Sequence, residues 1–209
     1  MIRLSPIFLF SLLALACPEP DPARDALRHP TPDAVLVQQV GTVVAALDFY
    51  DVDGTTHSLA SFRGRTVVLD FWSPRCPVCR RAEPARRRFA GGLDPERVAY
   101  CLVVSNRDEY PDEIKESLAG GASSGTVILD SRQRFARRFN VTRTPCAVLI
   151  DPEGIVRFMG APLSPEQLAQ AEPPRADWLE DAFEALRLGR PPDPPTRPVT
   201  GTPIRMISY

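Results

Sequence analysis

Histidine is almost missing from this sequence. Only His29 and His57 occur among 209 residues, and the five cysteines contain a single close pair, Cys76 and Cys79. A structural zinc site takes four nitrogen or sulfur donors, so the lack of a second cysteine pair at ligand spacing argues against one. An excess of either charge is missing too: 25 Lys and Arg stand against 26 Asp and Glu, a formal net charge of −1. Nothing in that balance points to a nucleic-acid binder held by counterion release. No apolar run reaches the roughly 20 residues that span a bilayer, and no internal repeat stands out. The length suits one well-buried domain with appendages rather than two ordinary domains.

Proline, by contrast, is abundant and lies mostly at the ends. Of 23 prolines, five fall between Cys17 and Pro32 and six between Gly189 and Tyr209. These flanks read as a flexible linker over residues 17–33 and a disordered tail over residues 190–209, around a folded domain at 34–189. Residues 1–16 carry Arg3, an apolar run from Leu4 to Ala16 and the small residues Ala14 and Ala16. This is the pattern of an export signal. Cleavage at Ala14-Leu15-Ala16 is one processing route. The other is the bacterial lipoprotein box, which Leu13 to Cys17 resembles, with Ala14 where leucine usually stands. Lipidation of Cys17 would account for an otherwise unpaired thiol.

Within the folded part, Ala34–Val40 and Val43–Tyr50 contain β-branched runs, and Asp53-Gly54 marks a hairpin turn before Thr55–Leu59. Thr66 to Trp72 (TVVLDFW) is apolar except for Asp70, as in a strand buried on both faces. A helix follows over Arg80–Ala90, stopped at Gly91-Gly92 and interrupted by Pro84. Val98–Ser105 reads as a strand and Pro111–Ala119 as a helix. Thr126–Asp130, Ser131–Phe139, Cys146–Asp151 and Ile155–Met159 then read strand, helix, strand, strand, with a turn at Asp151-Pro152-Glu153-Gly154. A last helix, Arg175–Leu188, aligns Leu179, Phe183 and Leu186 on one stripe and ends at Gly189. Alternating β and α elements closed by a hairpin predict an α/β fold with a mixed central sheet flanked by helices.

The chemistry centres on Phe71 to Pro84, FWSPRCPVCRRAEP. A C-x-x-C placed after a buried strand and before a helix sets its first sulfur at the helix N-terminus, where unpaired N–H groups and the helix dipole favour an anion. Such a site lowers a thiol pKa from about 8.5 toward roughly 3.5–7.5. Cys76 is thus the expected nucleophile. Cys79, about one turn on, can attack a mixed disulfide formed at Cys76 and release the partner. Pro77 and Val78 restrict the turn between them. Arg75, Arg80 and Arg81 either assist the thiolate or form a solvated face.

VVLDFWSPRCPVC resembles the active-site region of the thioredoxin superfamily, and LDFYDVDGTTHSLASFRGRTVVLDFW resembles the N-terminal hairpin extension of its membrane-anchored TlpA/ResA-like branch. A second landmark agrees: Thr144-Pro145 before Cys146–Asp151 resembles the cis-proline loop that faces the redox cysteines. The resemblance covers about Val43 to Met159. It implies a thioredoxin-like fold and a protein thiol–disulfide oxidoreductase with Cys76 attacking and Cys79 resolving. By the same resemblance Asp70, six residues before Cys76, is the buried proton acceptor for the resolving thiol. A lone carboxylate in an apolar strand has its pKa raised, which suits that task; the plainer reading is an aspartate bound to backbone or water. Thr144, Pro145, Trp72, Pro77 and Val78 are the implied substrate contacts. Glu83 resembles an acid found after the second cysteine, at an offset different by one.

The resemblance further implies reduction of cysteine-containing envelope proteins, such as apocytochromes, on the periplasmic side of a bacterial membrane; oxidation and isomerisation stay open, because no residue fixes the direction of electron flow. Electrons would come from a membrane thiol reductase and a lipid anchor would hold the chain. No metal or organic cofactor is needed beyond a redox-active Cys76–Cys79 disulfide. Arg75 and Ser73-Pro74 depart from the usual residues, and SPxCPVC is nearer to the MauD-type members. Two alternatives remain open. A peroxiredoxin would use the frame P-x-x-x-[ST]-x-x-C, which Ser73 satisfies and Leu69 does not. A Sco-type copper carrier suits thiolates, but spaces its cysteines by three and adds a histidine. Cys101 and Cys146 read as buried, unbridged thiols, and the arginines of Ser131–Phe139 as a solvated face.

Overall fold

The structure, a computed structural model, describes residues 39–119, 125–172 and 175–207. The expected signal, the linker with Cys17 and most of the run Ala34–Val40 lie outside the described residues. The sheet starts at a hairpin of β1 (Asp48–Asp51) and β2 (Thr56–Ser58), paired antiparallel. Gly54 takes φ +82 in the turn, which glycine adopts without strain. The Asp51 carboxylate closes the turn by accepting the N–H groups of Asp53 and Thr55. Only the end of the run Val43–Tyr50 is a strand. Its start crosses to the far side of the domain, where Val43 bridges Ile155.

The central strand is β3 (Thr66–Phe71), followed by α1 (Pro77–Gly91), β4 (Val98–Val104), α2 (Pro111–Leu118) and β5 (Thr126–Leu129). Then come α3 (Arg134–Arg138), β6 (Arg143–Thr144), β7 (Cys146–Ile150), β8 (Val156–Gly160), α4 (Pro165–Leu168), α5 (Asp177–Arg187) and β9 (Thr202–Pro203). Seven strands form one sheet in the order β2-β1-β5-β4-β3-β7-β8. β3 runs parallel to β4 and antiparallel to β7, so the sheet is mixed. Its middle strands are apolar on both faces because helices cover both. Phe49, Phe71, Phe135 and Phe139 pack on one face, and Ala82, Ala85, Leu149 and Leu179 on the other. Each of these phenylalanine and leucine side chains withdrawn from water contributes about 1.5–3 kcal/mol, and each alanine less. Pro84 lies inside α1, which continues through it.

Two expectations need correction. The helix expected at Ser131–Phe139 shrinks to α3, because the buried Asp130 carboxylate accepts the N–H groups of Phe135 and Ala136 and Gln133 takes φ +57. The segment 190–207 is not disordered. Prolines keep it extended, and an extended strand needs a pairing edge rather than a periodic apolar face. The body supplies that edge: β9 pairs antiparallel with β6, and Met159 exchanges backbone hydrogen bonds with Pro195 and Arg197. The Arg197 guanidinium lies 4.9 Å from the Trp178 ring centre, and Ile204 is buried in the core.

Leu149 is fully buried at the centre of β7. Leu149→Ala is expected to lower the unfolding free energy by about 2–5 kcal/mol, read from the midpoint of urea denaturation.

Candidate active site

The site forms where β3 ends and α1 begins. Cys76 is the N-cap of α1, with extended backbone, and Pro77 occupies the first turn, where no N–H is required. The Cys76 sulfur accepts the Cys79 N–H at 3.2 Å and lies 3.3 Å from the Thr144 carbonyl oxygen. The Thr144–Pro145 bond is cis, and the loop bearing Thr144 lies against the C-x-x-C turn. Cys76 is 0% exposed. Pro77 is exposed and Val78 half-buried beside it. Trp72, Asp70, Cys79, Arg86 and Pro145 line one small apolar cavity behind the dithiol.

The two sulfurs are strongly unlike. Cys76 is lowered to about 5, chiefly because Cys79 hydrogen-bonds its sulfur; the Thr202 and Thr144 hydroxyls and the Cys79 N–H add to this, against burial. Cys79 is pushed far up, first by burial and then by the neighbouring Cys76. The expected help from arginines is not the cause. Arg75 is held by Glu113 at 2.7 Å and by Asp108 at 3.1 Å, while Arg80 and Arg81 bond the Pro74 and Leu168 carbonyls.

Beneath the dithiol lies a buried charge cluster. Burial raises the pKa of Asp70, while Arg86 and the Tyr100 hydroxyl oppose the rise. Tyr100 donates to Asp70, and Glu83 grips Arg86 and Arg87. Burial disfavours the Glu83 carboxylate, yet these two arginines hold its pKa below the ordinary range. Glu83 therefore anchors Arg86 rather than facing the sulfurs through a bond of its own. The loop Ser73–Arg75 is braced by Glu109, which accepts from Ser73 and from Asn106.

Tyr100, Arg86, Glu109 and Thr202 were not singled out from the sequence. Two carried a signal. Cys79, Ala82 and Arg86 share a helix face by spacing, and Val68 and Asp70 face one side of β3, whose partners in β4 are Tyr100 and Leu102. Cys101 and Cys146 are free thiols on β4 and β7, which β3 separates, and burial pushes each up to about 12. His57 pairs with Asp51 at 2.7 Å on β2, with β1, β5 and β4 between it and β3. It is no third ligand for the dithiol.

Alkylation of Cys76 by iodoacetamide should rise with pH to half its plateau near pH 5, since only the thiolate reacts. At pH 7 nearly all of it is then ionised, against a few per cent for a free cysteine. Removing the donor in Cys79→Ala should move that midpoint upward.

Three comparisons bear on this geometry. Residues 30–175, well over half the chain, match the Redoxin family. The sporulation thiol-disulfide oxidoreductase A of Bacillus subtilis is 21% identical over 86% of this chain and 98% of its own. The methylamine utilization protein MauD of Methylorubrum extorquens is 30% identical, over 62% of this chain and 60% of that protein. The thiol-disulfide oxidoreductase ResA of Geobacillus kaustophilus is 25% identical over 56% and 67%. A hypothetical protein of Sinorhizobium meliloti superposes with a TM-score of 0.73 at 21% identity, covering 82% of this chain and 96% of that one. An uncharacterized conserved protein of Geobacillus kaustophilus gives 0.72 at 19%, covering 82% and 94%. With its mixed sheet, flanking helices and N-terminal hairpin, the chain belongs to the Redoxin family, as a ResA- and MauD-like member of the thioredoxin superfamily.

Proposed function

We propose that the chain is a protein thiol–disulfide oxidoreductase that reduces disulfides of other proteins through Cys76 and Cys79. The observation that carries this reading is the opposition of two sulfurs in contact: Cys76 lowered to about 5, Cys79 raised and donating to it. An anion beside a proton reserve is what a two-step exchange needs. The Cys76 thiolate attacks a client disulfide, expelling one client sulfur as thiolate and leaving a mixed disulfide. Cys79 then loses its proton and attacks the Cys76 sulfur, expelling the second client sulfur. Two electrons pass to the client and the Cys76–Cys79 disulfide forms.

Asp70 is the proton acceptor in the second step. It lines the same small cavity as Cys79, and burial raises its pKa toward that of a working base. A thiol reductase in the membrane returns the electrons, which needs no metal or organic cofactor. Thr144 and Pro145 meet the client across from Cys76, with Trp72, Pro77 and Val78 forming the rest of the contact. The apolar run before Cys17 supports export to the periplasmic side of a bacterial envelope, with Cys17 lipidated and clients drawn from its cysteine-containing proteins. The relatives named as thiol-disulfide oxidoreductases support the reaction class.

With dithiothreitol as reductant, the chain should accelerate insulin reduction and Cys76→Ser should abolish the effect; no acceleration by the wild type overturns the reading. Asp70→Asn should slow the decay of the Cys76 mixed disulfide by about 10²-fold while leaving its formation unchanged, as followed by rapid quench. Mass spectrometry of the mature N-terminus should find a diacylglyceryl group on Cys17, and a free thiol there removes the anchor.

A further inference from the structure

The C-terminal strand lies on the face where a client would dock. β9 pairs antiparallel with β6, setting Thr202 opposite Thr144 and Pro203 opposite Arg143. Thr144 is the residue whose carbonyl oxygen lies 3.3 Å from the Cys76 sulfur, and the Thr202 side chain reaches the same sulfur. Strand addition of this kind is how an extended peptide is bound at a sheet edge, with main-chain bonds giving affinity and alternate side chains giving selectivity.

The strand is also latched. Asn106 accepts the Arg205 N–H at 3.0 Å, and Gln133 both donates to the Arg205 carbonyl at 2.7 Å and accepts the Ile207 N–H at 2.7 Å. Gln133 is 0% exposed and stands at φ +57, a conformation uncommon for a residue with a side chain. Arg143 bonds the Gly201 carbonyl, and Asp108 pairs with Arg205 at 2.6 Å. Gly201 itself allows the approach: a Cβ there would sit 2.2 Å from the Thr144 carbonyl oxygen, at φ +148. The strand itself lies beyond residue 175, where the family match ends, while the groups that latch it lie inside that match.

We propose that residues 201–207 are a built-in substrate mimic: they fill the edge that a client's extended cysteine-bearing segment pairs with, and place the Thr202 hydroxyl where the client sulfur must sit. The client site is therefore closed until this strand lifts, and the peptide that replaces it enters extended and antiparallel to residues 143–144, with its cysteine at the position of Thr202. The proposal rests on the oxidoreductase reading above.

Gly201→Val should lift the strand without touching Cys76, Cys79 or Asp70. If the open form is a minor state of 0.1–10%, alkylation of Cys76 and insulin reduction should both accelerate by about 10- to 1000-fold; rates equal to wild type overturn the mimic. Wild type and variant both failing to reduce insulin would instead sink the oxidoreductase reading, so the two failures are distinct. A second variant tests the register in the closed fold. In Thr202→Cys combined with Cys79→Ser, Cys76 attacks oxidised glutathione and expels one glutathione thiolate. The introduced thiol then displaces the second, so two protein thiols are oxidised and one glutathione disulfide becomes two thiols. Mass spectrometry should find the bond between Cys76 and residue 202; stable glutathionylation of Cys76 with no such bond overturns the proposal.

Discussion

The foremost donor on the Cys76 sulfur, the Cys79 thiol, belongs to the turn itself. The Cys79 N–H points at the same sulfur because α1 begins there, and the Cys79 thiol follows because residue 79 lies one turn into the helix. A charge so placed is stabilised by short, fixed dipoles rather than by distant cations. The arginines around it are consequently free to do other work: Arg75 ties the turn to α2, and Arg86 enters the interior toward Asp70. Shifting α1 by a single residue would dissolve the donor set and with it the difference between the two thiols.

The apolar strand β3 serves this arrangement from below. It is buried on both faces, so Asp70 has no route to bulk water and must be balanced by what the neighbouring elements bring. Tyr100 comes from β4 and Arg86 from α1, with Glu83 fixing the arginine. Leaving one partner of a buried charge group unmatched typically costs about 3–5 kcal/mol. The cluster accordingly links the helix that carries the dithiol to the two strands beneath it.

Much of this was legible in the residues. TVVLDFW has the pattern of a strand covered on both sides, and CPVC after it fits the start of a helix. The hairpin at Asp53-Gly54 and the turn at Asp151 to Gly154 were marked by their own chemistry. The tail was not. RPPDPPTRPVTGTPIRMISY has no periodic apolar face, and the order of residues 190–207 comes from groups far away in sequence, on Met159, Thr142, Asn106 and Gln133. Pairing of that kind leaves no local trace. For the same reason Thr202 was invisible as part of the site, while α3 was overextended because Asp130 caps it from five residues away.

Asn106 and Gln133 sit deep in the body, yet their amides are matched by the backbone of Arg205 and Ile207, which arrives from far along the chain. Detachment of that segment bares two interior amides at once, and a buried polar group without a partner is costly. The body and its last described strand are therefore completed by one another.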